Sequence, residues 1–266
     1  MLPVRVTAAS TLRCVLLIAS VFAVSSAHAA PPWVSRGTNL PRYVWAFDPG
    51  FGIHYSDYGY DSRLGGGLNL EAAVGVLPEL EIGLRTGVRF GNGGRVLRAD
   101  EDGRLFDRQT FGTDHDNVAN PELRLRGRVI HGSIAELALE GRVYLPIEDN
   151  SRFGMMFGVP LLFHLGRVRL DTGLYIPILL RDRTETAVSI PVDVWIQATP
   201  RFWLGPMSGV RLYNPSGSTD VSLGFGIGYQ FTRAFDLKSM IIFPGINHNA
   251  GARNLGAGIG VQLRIE

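Results

Sequence analysis

The sequence lacks most of what protein chemistry needs. Its one cysteine, Cys14, lies within the first thirty residues, so the rest of the chain has no thiol, no disulfide and no cysteine metal ligand. Gly-x-Ser-x-Gly, His-Glu-x-x-His and a glycine-rich phosphate loop are all absent, which removes the usual signals of hydrolases, zinc proteases and nucleotide binders. No apolar run reaches the roughly twenty residues a helix needs to cross a bilayer. An excess of one charge is missing too: 26 Lys and Arg stand against 24 Asp and Glu. With no basic stretch of any length, nucleic acid is not an expected partner.

What is present begins with an N-terminus of a different kind. Arg5 and Arg13 flank the start of the apolar run Val15 to Val24, and Ala27-His28-Ala29 follows. That order reads as a secretory signal peptide over residues 1–29, because the run is about half the length of a membrane span. Its removal takes two arginines and leaves a formally neutral chain. Residues 30–42, rich in Pro, Gly, Ser and Asn, read as a short periplasmic lead-in, and 43–266 as a single β domain.

The clearest stretch is Val221 to Phe231, where large apolar residues take every odd position and Ser, Gly or Gln every even one. A strand with this period presents two faces to two environments. Leu255 to Ile265 repeats the design, and about ten further segments alternate in the same sense with their charges on the small-residue face. Twelve segments follow from Tyr43 onward. Tight connections at Leu77, Gly132, Gly166, Pro200 and Thr232 alternate with longer ones near Asp61, Gly91 to Asn120, Asp149, Asp182, Ser216 and Asn247. The expected fold is all-β, an antiparallel transmembrane up-and-down β-barrel of about 12 strands, apolar toward lipid and polar inside. Prolines at 146, 160, 177, 191, 206 and 244 are expected mostly on the lumen face or at rims, where a bulge is tolerable.

The hairpins around Gly75 to Leu84 and Tyr229 to Leu237 resemble those of bacterial outer-membrane β-barrel proteins. The segment Arg142-Val143-Tyr144-Leu145-Pro146-Ile147-Glu148-Asp149 resembles the strand-to-loop step of transporter-like barrels often labelled as the phenol meta-pathway group. The resemblance implies a cell outer membrane location, with outer-membrane lipid and the barrel-assembly machinery as partners. Such barrels usually end in an aromatic residue, whereas this chain ends Leu263-Arg264-Ile265-Glu266.

The inward charges carry the functional expectation. Glu71, Glu79, Glu81, Glu136, Glu140 and Asp171 face Arg85, Arg124, Arg126, Arg128, Arg142, Arg169 and Arg201, with Arg89, Glu122, Asp193, Arg211, Asp236, Lys238, Arg264 and Glu266 beside them. The third to fifth segments are densest, which places a constriction toward the mouth with the tight turns. Two readings stand: a narrow channel or transporter for a small solute, or a structural barrel whose lumen is plugged by its own salt bridges and whose loops do the work. His131 and Ser133 lack an orienting acid, and the acids from Asp100 to Asp116 match no calcium spacing. No enzyme activity, cofactor or metal is expected.

Overall fold

The computed structural model describes residues 32–57, 62–91, 98–99, 105–106, 118–146, 153–180, 184–214, 216–247 and 254–266. The expected signal peptide, most of the Gly91 to Asn120 connection with its acidic cluster, the connections near Asp61, Asp149 and Asp182, and the side chain of Arg89 fall outside the described residues.

Alternation of apolar and small or polar residues produces long strands here. They are β1 (Trp45–Asp57), β2 (Ser62–Leu77), β3 (Leu80–Gly91), β4 (Arg98–Ala99), β5 (Leu105–Phe106), β6 (Val118–His131) and β7 (Ala135–Tyr144). There follow β8 (Gly154–Leu165), β9 (Val168–Leu179), β10 (Glu185–Gln197), β11 (Phe202–Asn214), β12 (Thr219–Gln230), β13 (Phe235–Phe243) and β14 (Asn254–Ile265). All except β4 and β5, which pair only with each other, close into one barrel of twelve antiparallel strands in sequence order, sealed by β1 against β14. The expected fold and strand number are both met.

The facing is as the alternation requires. On β12, Leu223 and Phe225 are each 48% exposed while Ser222 is 3% exposed, so the apolar row points outward. Similar rows run around the wall, among them Leu64, Leu84, Leu125, Leu139 and Phe157. An apolar surface this continuous far exceeds what a water-soluble monomer exposes. Rings cluster on it near the tight turns, as with Tyr229, Phe231 and Phe235, whose centroids lie 4.8 and 5.3 Å apart in sequence. Leu223→Arg should therefore cost about 2–4 kcal/mol, by analogy with other barrel midplane positions. Denaturant titration of refolding into lipid vesicles measures it, and a near-neutral outcome would mean that this row does not meet hydrocarbon.

Pro160, Pro177 and Pro191 face the lumen and Pro146 and Pro244 lie just past strand ends, as expected, but the prolines within strands make no bulge. No register shift occurs at Pro160, Pro177, Pro191 or Pro206. Instead the ladder skips pairs on one side and resumes in the same register, as between Ser189↔Tyr175 and Thr186↔Ile178 or between Asp193↔Met207 and Ile196↔Leu204. A missing N–H removes a bond without demanding an extra residue. Asp48-Pro49 does the same to β1, which runs unbroken and stays paired with β2 throughout. The bulges lie elsewhere, at Gly75/Leu77, Arg85/Gly87 and Arg128/Ile130.

Candidate functional site: the barrel lumen and the strap across it

Inward positions of β2, β3, β6 and β7 carry alternating signs on neighbouring strands, and antiparallel pairing sets them side by side. The register aligns Glu71 with Arg85, Arg85 with Glu122 and Arg126 with Glu140. The result is a closed circuit of four arginines and four glutamates. Arg85 pairs with Glu71 and lies 3.7 Å from Glu122. Glu122 accepts from Arg142 at 2.6 Å, and Arg142 turns its Nε to Glu140 at 2.6 Å. Arg126 reaches Glu140 at 2.7 Å and Glu81 at 3.9 Å. Arg124 completes the circuit, 2.7 Å from Glu81 and 3.0 Å from Glu71. Its eight members balance in charge and are almost wholly removed from solvent, so each ion's desolvation is offset by two neighbours of opposite sign.

Besides these wall charges, a segment of the chain itself occupies this end of the barrel. Residues 33–40, part of the expected lead-in 30–42, lie inside the tight-turn end of the barrel and cross its bore as a strap. A short 3-10 turn, Trp33–Ser35, buries Trp33 and Val34. Trp33 stacks on Trp203 at 4.9 Å and meets Trp195 edge-on at 5.5 Å, with Met207 and Met240 around them. Wall side chains satisfy the strap's backbone one by one. Gln197 accepts from the Val34 N–H at 3.2 Å, and His164 Nδ1 lies 2.9 Å from the Val34 carbonyl. Arg169 donates to the Arg36 carbonyl at 2.9 Å, Arg126 to the Thr38 carbonyl at 2.7 Å. Glu136 accepts from the Thr38 N–H and hydroxyl at 2.8 and 3.0 Å, and Glu81 accepts from the Leu40 N–H at 2.8 Å. Arg36 extends to the far wall, where it pairs with Asp236 and donates to Gln262.

Two glycines make this packing geometric rather than approximate. A Cβ on Gly75 would stand 2.1 Å from the Pro41 carbonyl oxygen, where the strap crosses the wall to enter β1. One on Gly228 would stand 2.1 Å from the Trp203 indole. Gly228→Leu should push Trp203 from beneath Trp33 and shift tryptophan emission to the red; an unchanged spectrum would mean that the indole stack tolerates bulk behind it.

The structure thus divides the expected lumen residues. Glu71, Glu81, Arg85, Arg124, Arg126, Glu140 and Arg142 join the circuit, with Glu122 as the eighth member. Arg128 and Glu136 sit against Gly37 and Thr38 of the strap. Arg169 holds Asp171 through its Nε at 2.8 and 2.9 Å and lies over the Trp33 ring at 4.6 Å. Glu79 and Arg201 are corrections: both are exposed at tight turns, where the ladder ends and water is available. Glu79 contributes only its carbonyl, which accepts from Asn39 at 2.9 Å. Glu266 is likewise exposed at the rim. Missed altogether were Trp33, Trp195 and Trp203. The signal for them is large apolar residues at wet-face parity on β10 and β11, which need something apolar in the lumen to cover them. No group of three or more His, Cys, Asp or Glu suited to a metal occurs among the described residues.

No family model matches the chain, and no curated protein is similar to it in sequence. Solved structures share its fold. An outer membrane channel from Pseudomonas putida F1 superposes with a TM-score of 0.60 at 10% identity, over 91% of this chain and all of that one. The NanC porin gives 0.57 at 7% identity over 82% of this chain and all of its own. The translocator domain of the autotransporter NalP from Neisseria meningitidis gives 0.52 at 11% identity over 99% and 100%. At such identities the likeness is one of fold: a closed antiparallel β-barrel like those of these outer-membrane proteins.

Proposed function

We propose that the protein is a narrow outer-membrane channel for small solutes, exported by a signal peptide over residues 1–29, with its tight turns and strap on the periplasmic side. The observation that carries this is the way the bore is occupied. Side-chain hydrogen bonds and the Arg36–Asp236 ion pair hold the strap between Trp33 and Leu40, and a polar space lined by Arg36, Arg126, Arg169 and Lys238 is left beside it. The porin and channel neighbours favour the same reading, although a translocator shares the fold and fold alone does not assign function. The finer kinship with the phenol meta-pathway barrels belongs to this proposal too, as do the barrel-assembly machinery and outer-membrane lipid as partners.

The second reading, a plugged structural barrel, draws on the neutral salt-bridge circuit and the buried tryptophan stack. Single-channel recording on protein folded into a planar bilayer separates the two. Discrete, small current steps are expected. A barrel that is fully inserted, as judged by heat-modifiable migration, yet silent at all voltages would instead support the plugged barrel.

A further inference from the structure

Beside the strap lies a small polar space whose charged walls are of one sign. Arg36 enters it from the strap, Arg126 from β6, Arg169 from β9, Lys238 from β13, and Arg264 and Gln262 from β14. No carboxylate lines this space. The acids that pair with its cations approach from other sides: Asp236 on Arg36, Glu140 on Arg126, Asp171 on Arg169. Lys238 is moreover the only lysine in a chain whose other basic residues are all arginine.

We infer that this space is an anion filter, taking small anions such as halides and short carboxylates; the inference rests on the channel reading and names the solute class for it. Five cations from four strands and a strap face the gap; Asp236, Glu140 and Asp171 offset three of them from behind, and low-dielectric walls concentrate the field that remains. A ring of Arg and Lys selects anions as a ring of Asp and Glu selects cations. Every charged group on the surface donates and none accepts, so an anion meets N–H donors from several directions, and guanidinium edges suit the two oxygens of a carboxylate. The four-and-four circuit, which shares Arg126 with this space, sets its carboxylates among its cations, whereas the carboxylates that hold Arg36, Arg126 and Arg169 lie outside the lining of the space. Selection therefore lies beside the strap, where the sum over the lining is positive, and not at the larger charge lattice.

Two measurements test this, one of which needs no current. In an asymmetric KCl gradient the wild-type channel should reverse on the anion side, and Lys238→Glu with Arg264→Gln should move the reversal potential toward zero or past it; Lys238→Met serves if the double variant fails to fold. An unselective or cation-selective wild-type current would overturn the filter while leaving the channel intact. Independently, Trp33 lies on the same space, so iodide should quench the emission lost in Trp33→Phe more strongly than caesium does. Equal quenching by both ions would overturn the anion site, and iodide-selective quenching in a silent barrel would keep it and sink the channel.

Discussion

Protein lacking residues 33–40 should conduct several-fold more than the full chain and lose most of its discrimination by size. The strap bridges the bore from the Leu40 contact on β3 to the tryptophan stack on β10 and β11, and no other segment among the described residues crosses it. Its removal opens the cross-section without touching a ladder bond between barrel strands, so the sheet itself is expected to fold and to keep its gel mobility shift. The exposed charges would then be those of the wall: Arg169 and Asp171 with each other, Glu136 without Thr38. Macroscopic conductance and exclusion of polyethylene glycols of graded size report the change. Unaltered conductance in the deletion would place the narrowest point elsewhere. A milder variant, Trp33→Ala, should show intermediate, flickering currents, because it removes the apolar anchor and keeps the polar ones.

Arg142→Ala should be the most destabilising single change in the charge circuit, at about 3–5 kcal/mol. The Arg142 side chain is fully buried and bonds Glu122 and Glu140 at 2.6 Å each. Without it two carboxylates remain in a crowded interior with like charge between them, and that residual repulsion, more than the lost attraction, sets the cost. Combining Arg142→Met with Glu140→Gln should restore part of the stability. The non-additivity of the pair in denaturant-induced unfolding from vesicles gives the coupling. Arg201→Ala, at an exposed turn, should stay within the scatter of the measurement. If Arg142→Ala were equally mild, water would have to reach the circuit freely, contrary to its burial.

The barrel was legible because strand facing is written with period two. Val221 to Phe231 states it in eleven residues, and parity alone carried Glu81, Arg85, Arg124 and Arg126 to the inside. The strap was not legible for the same reason. Pro31 to Pro41 has no period, its hydrogen bonds go to side chains scattered from Glu81 to Gln262, and nothing local announces partners so distant in the chain. Only Trp195 and Trp203, apolar where the rhythm asks for polar, pointed to an occupant. The prolines misled in the other direction, since a lost N–H mimics a break in pattern while β8, β9, β10 and β11 keep their register through it.

The seam between β1 and β14 bears on the order in which the molecule can be made. The strap precedes β1 and is therefore among the first structured residues to leave any secretion machinery, yet the partners of Arg36, Asp236 and Gln262, lie on the last two strands of the wall. Its far anchor does not exist until those strands arrive, and until then the strap has only its contacts to β3 through β11 to hold it. Docking of the strap is thus coupled to completion of the ring, late in assembly and of high contact order. A half-built sheet is open at its seam, and β14, the strand that closes it, also brings Gln262, one of the two groups that hold Arg36 of the strap.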